Sequence, residues 1–222
     1  MKHLWYKLLF KVREGMIAST FDIPRQATVP SDNSTHKVSI GILNLKPEFE
    51  YETVPKKTPY AFLKAKVKNT SLYAIIGGPA NVFLDNNFVA KTEVNSTGPQ
   101  GEFTCSLGVD PSIKIDYKPI RKFQEEHGYF GKTRVTKYVQ IIEITNSNTN
   151  PIKLLLSEQL PLSNNEKIQV KLSEPQLKNS QNVKLNKSNN LEFNLNIDAG
   201  KKEEVTVKYS IENSTNSELK FS

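Results

Sequence analysis

Few residues in this chain carry reactive chemistry, and each has a structural reading beside the catalytic one. Cys105 is its one thiol. As a nucleophile it would need a lowered pKa and a base within reach. It lies instead in the strand-like run 103–107, and the nearest histidine in sequence is His127. It reads as a buried structural thiol. His3, His36 and His127 are widely separated, without the His-x-His or His-x-x-x-His spacing that would gather metal ligands. They read as surface residues. Gly77-Gly78-Pro79 lacks the Lys-Ser/Thr pair of a phosphate loop and leads into Ala80-Asn81-Val82, a strand opening rather than a helix N-terminus. It reads as a turn that lets two strands approach. Asp110, Asp116 and the pair Glu125-Glu126 supply carboxylates without the pairing that acid–base catalysis requires, and Asp110-Pro111 reads as a loop cap. No cofactor and no metal are expected, and the chain reads as non-enzymatic.

Lysine spacing is the more informative signal. The net charge is +7, and it is unevenly spread: residues 1–55 carry +1, residues 56–137 carry +6 and residues 138–222 carry 0. Within the basic stretch, Lys64, Lys66 and Lys68 alternate with Leu63, Ala65 and Val67, so a strand there would project all three lysines from one face. Lys114 and Lys118 alternate with Ile115 and Tyr117 in the same way. Such combs could contact an acidic partner, although outward lysines also guard strands against edge-to-edge aggregation. No aromatic residues interleave with them as a single-stranded nucleic-acid platform would require. The expected partner is therefore a protein or another acidic surface rather than nucleic acid.

The elements that must position these residues are strands. Leu191, Phe193, Leu195 and Ile197 alternate with polar residues, and after Asp198-Ala199-Gly200 the alternation resumes at Val205, Val207, Tyr209 and Ile211. That period of two marks half-buried antiparallel strands. Shorter runs repeat it at Leu63/Ala65/Val67, Ile113/Ile115/Tyr117 and Ile168/Val170/Leu172, and Asp85-Asn86-Asn87 reads as a tight hairpin turn. About a dozen strands result, which predicts an all-β chain of two antiparallel, immunoglobulin-like β-sandwiches. The division expected is a helix or tail over 1–20, a first sandwich over 21–125 and a second over 126–222. Helix is expected only over 4–16 and as one turn over 123–127, while 119–132 reads as a linker or long hairpin loop. The Asn/Ser/Lys-rich patches at 146–150, 178–190 and 213–217 read as flexible loop insertions.

Composition excludes several classes. One Cys rules out an internal disulfide, and one Cys with three His cannot form a Cys-rich zinc module. No apolar run is long enough to span a bilayer, and Lys7 and Lys11 interrupt the opening apolar stretch, which makes it a poor signal peptide. A cytoplasmic location follows as the expectation. Sequons occur at Asn33, Asn69, Asn95, Asn186 and Asn213, but 21 Asn and 33 Ser+Thr predict about three by chance, so secretion or a cell-envelope location stays the alternative.

The words of the first half, in order, carry a resemblance. They are Phe21-Asp22-Ile23-Pro24-Arg25-Gln26, Phe49-Glu50-Tyr51, Val54-Pro55-Lys56, Gly78-Pro79-Ala80-Asn81-Val82-Phe83-Leu84-Asp85 and Phe103-Thr104-Cys105-Ser106-Leu107-Gly108-Val109-Asp110-Pro111. Together with Glu158-Gln159-Leu160-Pro161 and Tyr209 they make residues 21–211 similar to the C-terminal domain of the mucoidy inhibitor A-like family, a domain of unknown function. The chain departs from the family's pattern in having Asp85-Asn86 in place of Asp-Gly, and Phe193 in place of Trp. Family members usually carry a β-rich domain and a coiled coil ahead of this one, so the resemblance implies either the C-terminal part of a longer protein, with residues 4–16 as a coiled-coil remnant, or a stand-alone copy of the domain. It implies no reaction. The expected function is a non-enzymatic interaction module. The alternatives are a carbohydrate- or polymer-binding envelope protein, and a hydrolase using Cys105 or a carboxylate.

Overall fold

The computed structural model describes residues 12–14, 19–21, 28, 30–37, 39–84, 86–127, 133–165, 167–178 and 180–214. Fourteen strands are present among them: β1 (Val12–Glu14), β2 (Ser19–Phe21), β3 (Pro47–Val54), β4 (Thr58–Lys68), β5 (Gly78–Leu84), β6 (Asn87–Val94), β7 (Glu102–Tyr117), β8 (Arg121–His127), β9 (Thr133–Asn146), β10 (Ile152–Gln159), β11 (Ile168–Glu174), β12 (Val183–Leu185), β13 (Asn190–Ile197) and β14 (Lys202–Ser214). The fold is all-β. A ten-stranded mixed sheet curls on itself in the order β11-β14-β9-β7-β4-β3-β10-β13-β12, with β8 lying against β9. β5 and β6 form a separate hairpin, as do β1 and β2.

The pairing differs from that of two purely antiparallel sandwiches at a definable place. β3 and β10 run parallel, joined at Tyr51–Leu154, Glu52–Leu155 and Thr53–Leu156. β7 changes partner along its length: its first half pairs with β4 and its end with β9. Gly108, with φ of +87°, supplies the left-handed backbone that begins this change. Beyond it, the two-residue step from Phe62 to Tyr60 on β4 is matched by a five-residue step from Val109 to Lys114 on β7. The surplus residues bend the sheet, as bulges do.

Alternation along the strands places the core. Leu191, Phe193 and Ile197 on β13 are buried beside Leu154 and Leu156 on β10, and Val205, Val207 and Ile211 on β14 beside Ile142 and Ile144 on β9. Tyr51, Ala61 and Ile113 join the same cluster, so one core takes residues from both halves of the chain. Each fully buried aliphatic side chain contributes on the order of 1.5–3 kcal/mol. A smaller cluster of Ala65, Val67 and Leu107, with Leu45, Val82 and Phe103 packed on it, lies on the β4–β7 sheet.

Three sequence expectations are corrected. The helix over 4–16 falls largely outside the described residues, and the part described, Val12–Glu14, is a strand paired with Ser19–Phe21. Residues 123–127 are not helical but belong to β8, which runs antiparallel to β9, so 121–127 of the stretch expected as a linker or long hairpin loop is strand, while 128–132 lie outside the described residues. β8 is an exposed edge strand with little apolar contrast, which is why its sequence shows no clear period of two. The Asn-rich patch at 146–150 is not idle loop. Asn146 is fully buried, its Nδ2 donates to the carbonyls of Asn150, Ile197 and Asp198 at 3.0, 3.1 and 3.1 Å, and its Oδ1 accepts from the Asn148 N–H at 3.0 Å.

The same corner occurs once more. Asn69, at the end of β4, is also fully buried, and its Nδ2 donates to the carbonyls of Tyr73, Thr97 and Gly98 at 2.7, 3.3 and 3.1 Å. Its Oδ1 accepts from the Ser71 N–H, two residues on, as in the Asn146 corner. The backbone repeats as well, with Asn69 N–H donating to Gly101 and Asn146 N–H to Lys201. Both corners close a strand against the turn that precedes its long antiparallel neighbour, β7 or β14. Asn69 and Asn213 are sequon asparagines, and burial closes both to a glycan in this fold.

Candidate functional site

The lysine combs are the first candidates, and cross-strand register determines their charge. Glu48 of β3 lies opposite Lys66 of β4, Glu50 opposite Lys64, and Glu102 of β7 opposite Lys68. Lys64 is ion-paired with Glu52, and Lys66 with Glu102 at 2.9 Å. The hydrogen bond and charge of Glu102 hold the Lys66 ammonium above its ordinary range. Three lysines thus share a face with Glu48, Glu50, Glu52 and Glu102, a mixed-charge ladder of the kind that stabilises antiparallel pairs. Lys114 is on that face beside Tyr60, about 13 Å along the strand from Lys64 at 3.3 Å per residue. Lys118 lies just past the end of β7, ion-paired with Asp116 and, at 3.2 Å, with Glu143. The structure therefore does not gather the five lysines into one patch.

The other sequence candidates are held in structural roles. Cys105 is partly buried against the smaller core cluster, and burial pushes its thiol pKa up, away from the thiolate. His36 contacts Asp32 at 2.7 Å on the exposed surface, while His3 and the His127 side chain lie outside the described residues. Gly77 is a close approach, since a Cβ there would stand 2.7 Å from the Ser96 nitrogen. Among the described residues no group of three or more His, Cys, Asp or Glu is placed to hold a metal, and no helix is long and apolar enough to cross a membrane.

Two arrangements were not legible in the sequence. One is inside the curl. Glu158 of β10 is only 5% exposed, and its Oε1 accepts from the Tyr117 hydroxyl at 2.8 Å. Its Oε2 is buried without a hydrogen-bond partner. Burial raises the carboxyl pKa, against a smaller lowering by the Tyr117 hydrogen bond and the Lys56 charge. Tyr209 stacks on Tyr138 at 4.9 Å nearby, and burial with the charges of Tyr138 and Glu158 pushes the Tyr209 phenol up to about 12.

The other lies at the fork where β3 and β10 part. Their parallel pairing covers only residues 51–53 and 154–156, and towards the N-terminal end of both strands they diverge. A groove of about 690 Å³ opens there, walled by Glu48, Phe49 and Glu50 on one side and by residues 148–153 on the other. This volume is in the range of roughly 300–1,000 Å³ typical of ligand pockets. Beside it lies a polar network. The Tyr51 hydroxyl donates to Asp110 Oδ2 at 2.6 Å, Asn148 Nδ2 reaches the same oxygen at 3.4 Å, and the Ser112 N–H donates to Asp110 Oδ1 at 2.9 Å. Burial pushes the Asp110 carboxyl up, but the hydrogen bonds from Tyr51, Ser112 and Asn148 outweigh it and hold the group below its ordinary range. The Tyr51 phenol is raised, by burial first and then by Asp110. The surplus stretch of β7 places Asp110 here, and the loop after the Asn146 corner brings Asn148. Fifty-nine residues separate Tyr51 from Asp110, so spacing alone gave no hint of the contact.

Comparison with known proteins adds the following. "Protein F37C4.5" of Caenorhabditis elegans is 39% identical over 165 residues, which are 74% of this chain and 30% of that protein. The matched stretch is therefore under a third of that relative's length. No solved structure matches the chain. A family profile covers residues 4–214, and the chain belongs to that family, the domain of unknown function DUF4139.

Proposed function

We propose that this chain is a non-enzymatic recognition module that binds a protein partner at the β3–β10 fork, in a cytoplasmic setting. The observation that carries this reading is the groove. It is roomy, it has the half-exposed Phe49 on one wall, and the Tyr51, Asp110 and Asn148 side chains beside it are hydrogen-bonded to one another. A tyrosine whose pKa is raised and a carboxylate held ionised by three donors are suited to fixing a surface, not to shuttling protons. The mixed ladder around Lys64, Lys66 and Lys68 favours the groove over the basic comb as the contact surface. The repeated asparagine corner supports a further part of the reading, that the two halves are related β-sandwich units joined by a shared sheet. The likeness to mucoidy inhibitor A-like proteins belongs to the same reading.

The test is a peptide and glycan array probed with the wild-type chain and with Thr149→Trp, which fills the groove from an exposed position, alongside chromogenic ester and glycoside substrates. Groove-dependent peptide binding without turnover is the expected result. Turnover, or array binding that Thr149→Trp leaves unchanged, overturns the proposal.

A further inference from the structure

The fork has a second property besides its volume. Residues 47–50 of β3 pair with β4 along one edge, whereas among the described residues no strand pairs with their other edge, which faces the groove. Alternate residues of such a segment turn their N–H and C=O groups outward, where they form a template for another strand. Four residues at about 3.3 Å each make roughly 13 Å of open edge. We infer that this edge accepts an extended peptide segment by strand addition, and that the segment alternates apolar with basic residues. The inference rests on the recognition reading above and deepens it by naming the partner's chemistry.

The alternation follows from the pleat. A strand added beside β3 sends every second side chain to each face. On the inner face it meets Phe49, which is 49% exposed, and then Tyr51 and Leu63. On the outer face it meets Glu48 and Glu50. Nearby lysines are engaged elsewhere, Lys64 by Glu52 and Lys66 by Glu102. Glu48 and Glu50 stand opposite Lys66 and Lys64 across the β3–β4 register, but no ion pair among the described residues closes on either carboxylate, so an incoming cation can pair with them. Among the described lining residues Lys153 is the one cation against these two anions, which leaves the rim negative. The main-chain ladder supplies affinity, and the apolar/basic alternation supplies register.

The test uses a fluorescein-labelled Lys-Val-Lys-Val-Lys-Val peptide titrated against the 222-residue chain by fluorescence polarisation. Two control peptides have the same composition, one with the valines and lysines in separate blocks and one with N-methyl groups on alternate amides. Both controls should bind at least tenfold more weakly. Glu48→Lys with Glu50→Lys should weaken the alternating peptide at least tenfold, and Lys153→Glu should tighten it about threefold. All three substitutions are at exposed positions, and melting curves verify the fold. Equal affinity for the block or N-methylated peptide overturns strand addition. Affinity unaffected by the charge substitutions overturns the basic assignment. Groove-dependent capture of a different peptide class on the array sinks this inference and leaves the recognition module standing, whereas an array ligand indifferent to the groove sinks both.

Discussion

Replacing Asn146 by alanine should be among the most damaging single changes in the chain. The side chain is fully buried, its two amide hydrogens serve three carbonyls, and its Oδ1 takes a backbone N–H. A net hydrogen bond is worth about 1 kcal/mol, and each buried group left without a partner costs about 1–3 kcal/mol. Some of the carbonyls keep other donors or gain water, so the total for Asn146→Ala is about 2–4 kcal/mol. For a chain of this size that is a fall of roughly 4–16 °C in Tm. Asn146→Asp separates hydrogen bonding from shape. Aspartate is nearly isosteric and keeps the acceptor, but it turns an oxygen towards three carbonyl oxygens and buries a charge. It should be at least as damaging as alanine at pH 7. Its deficit should shrink as the pH falls, because the carboxyl is then protonated and can donate once. Urea unfolding of both variants at pH 7 and pH 4 measures this. Alanine within 1 kcal/mol of wild type, or aspartate matching wild type at pH 7, would refute the corner as a load on the amide donors.

Three more outcomes are expected. Glu158 has a raised carboxyl pKa in the folded chain, so its ionisation opposes folding; the loss sets in as the pH rises above the unfolded value near 4.3 and is complete once the pH exceeds the folded pKa. Glu158→Gln keeps an acceptor for Tyr117, so its urea midpoint should exceed the wild-type midpoint at pH 7.5 and the gain should fade by pH 4; a constant gain at both pH values contradicts this. Cys105 should react with a thiol reagent far more slowly in the folded chain than in 6 M urea, because burial disfavours the thiolate, and comparable rates would show that the thiol is open. Gly77→Ala should lower the Tm measurably by forcing its Cβ against the Ser96 backbone nitrogen, and an unchanged Tm would show that the two strands can separate without cost.

The sequence was legible wherever one strand face is apolar and the other polar. The alternation at Leu191–Ile197 and Val205–Ile211 predicts which residues are buried, and the described structure buries or half-buries them. The hairpin around Asn86 was equally clear, because the positive φ of 63° suits asparagine. Partners were not legible. β13 and β14 follow each other in the chain yet pair with different strands, since register depends on distant neighbours rather than on local pattern. The lysine comb looked basic for the same reason. Its balancing glutamates are on β3 and β7, and only the register brings Glu50 opposite Lys64 and Glu102 opposite Lys68. The polar network at the fork joins Tyr51, Asp110 and Asn148 from three separate stretches, and nothing in a local window links them.

Strand addition at the open edge of β3 is tested most directly by backbone amide hydrogen exchange, read by NMR with and without saturating Lys-Val-Lys-Val-Lys-Val peptide. An amide paired with an added strand exchanges slowly, and alternate amides along residues 48–50 are the ones turned to the groove. New protection is expected there, with the amides of Lys64, Lys66 and Lys68, already paired within the sheet, left unchanged. Protection that appears instead around the lysine comb, or binding with no new protection at residues 48–50, would contradict it.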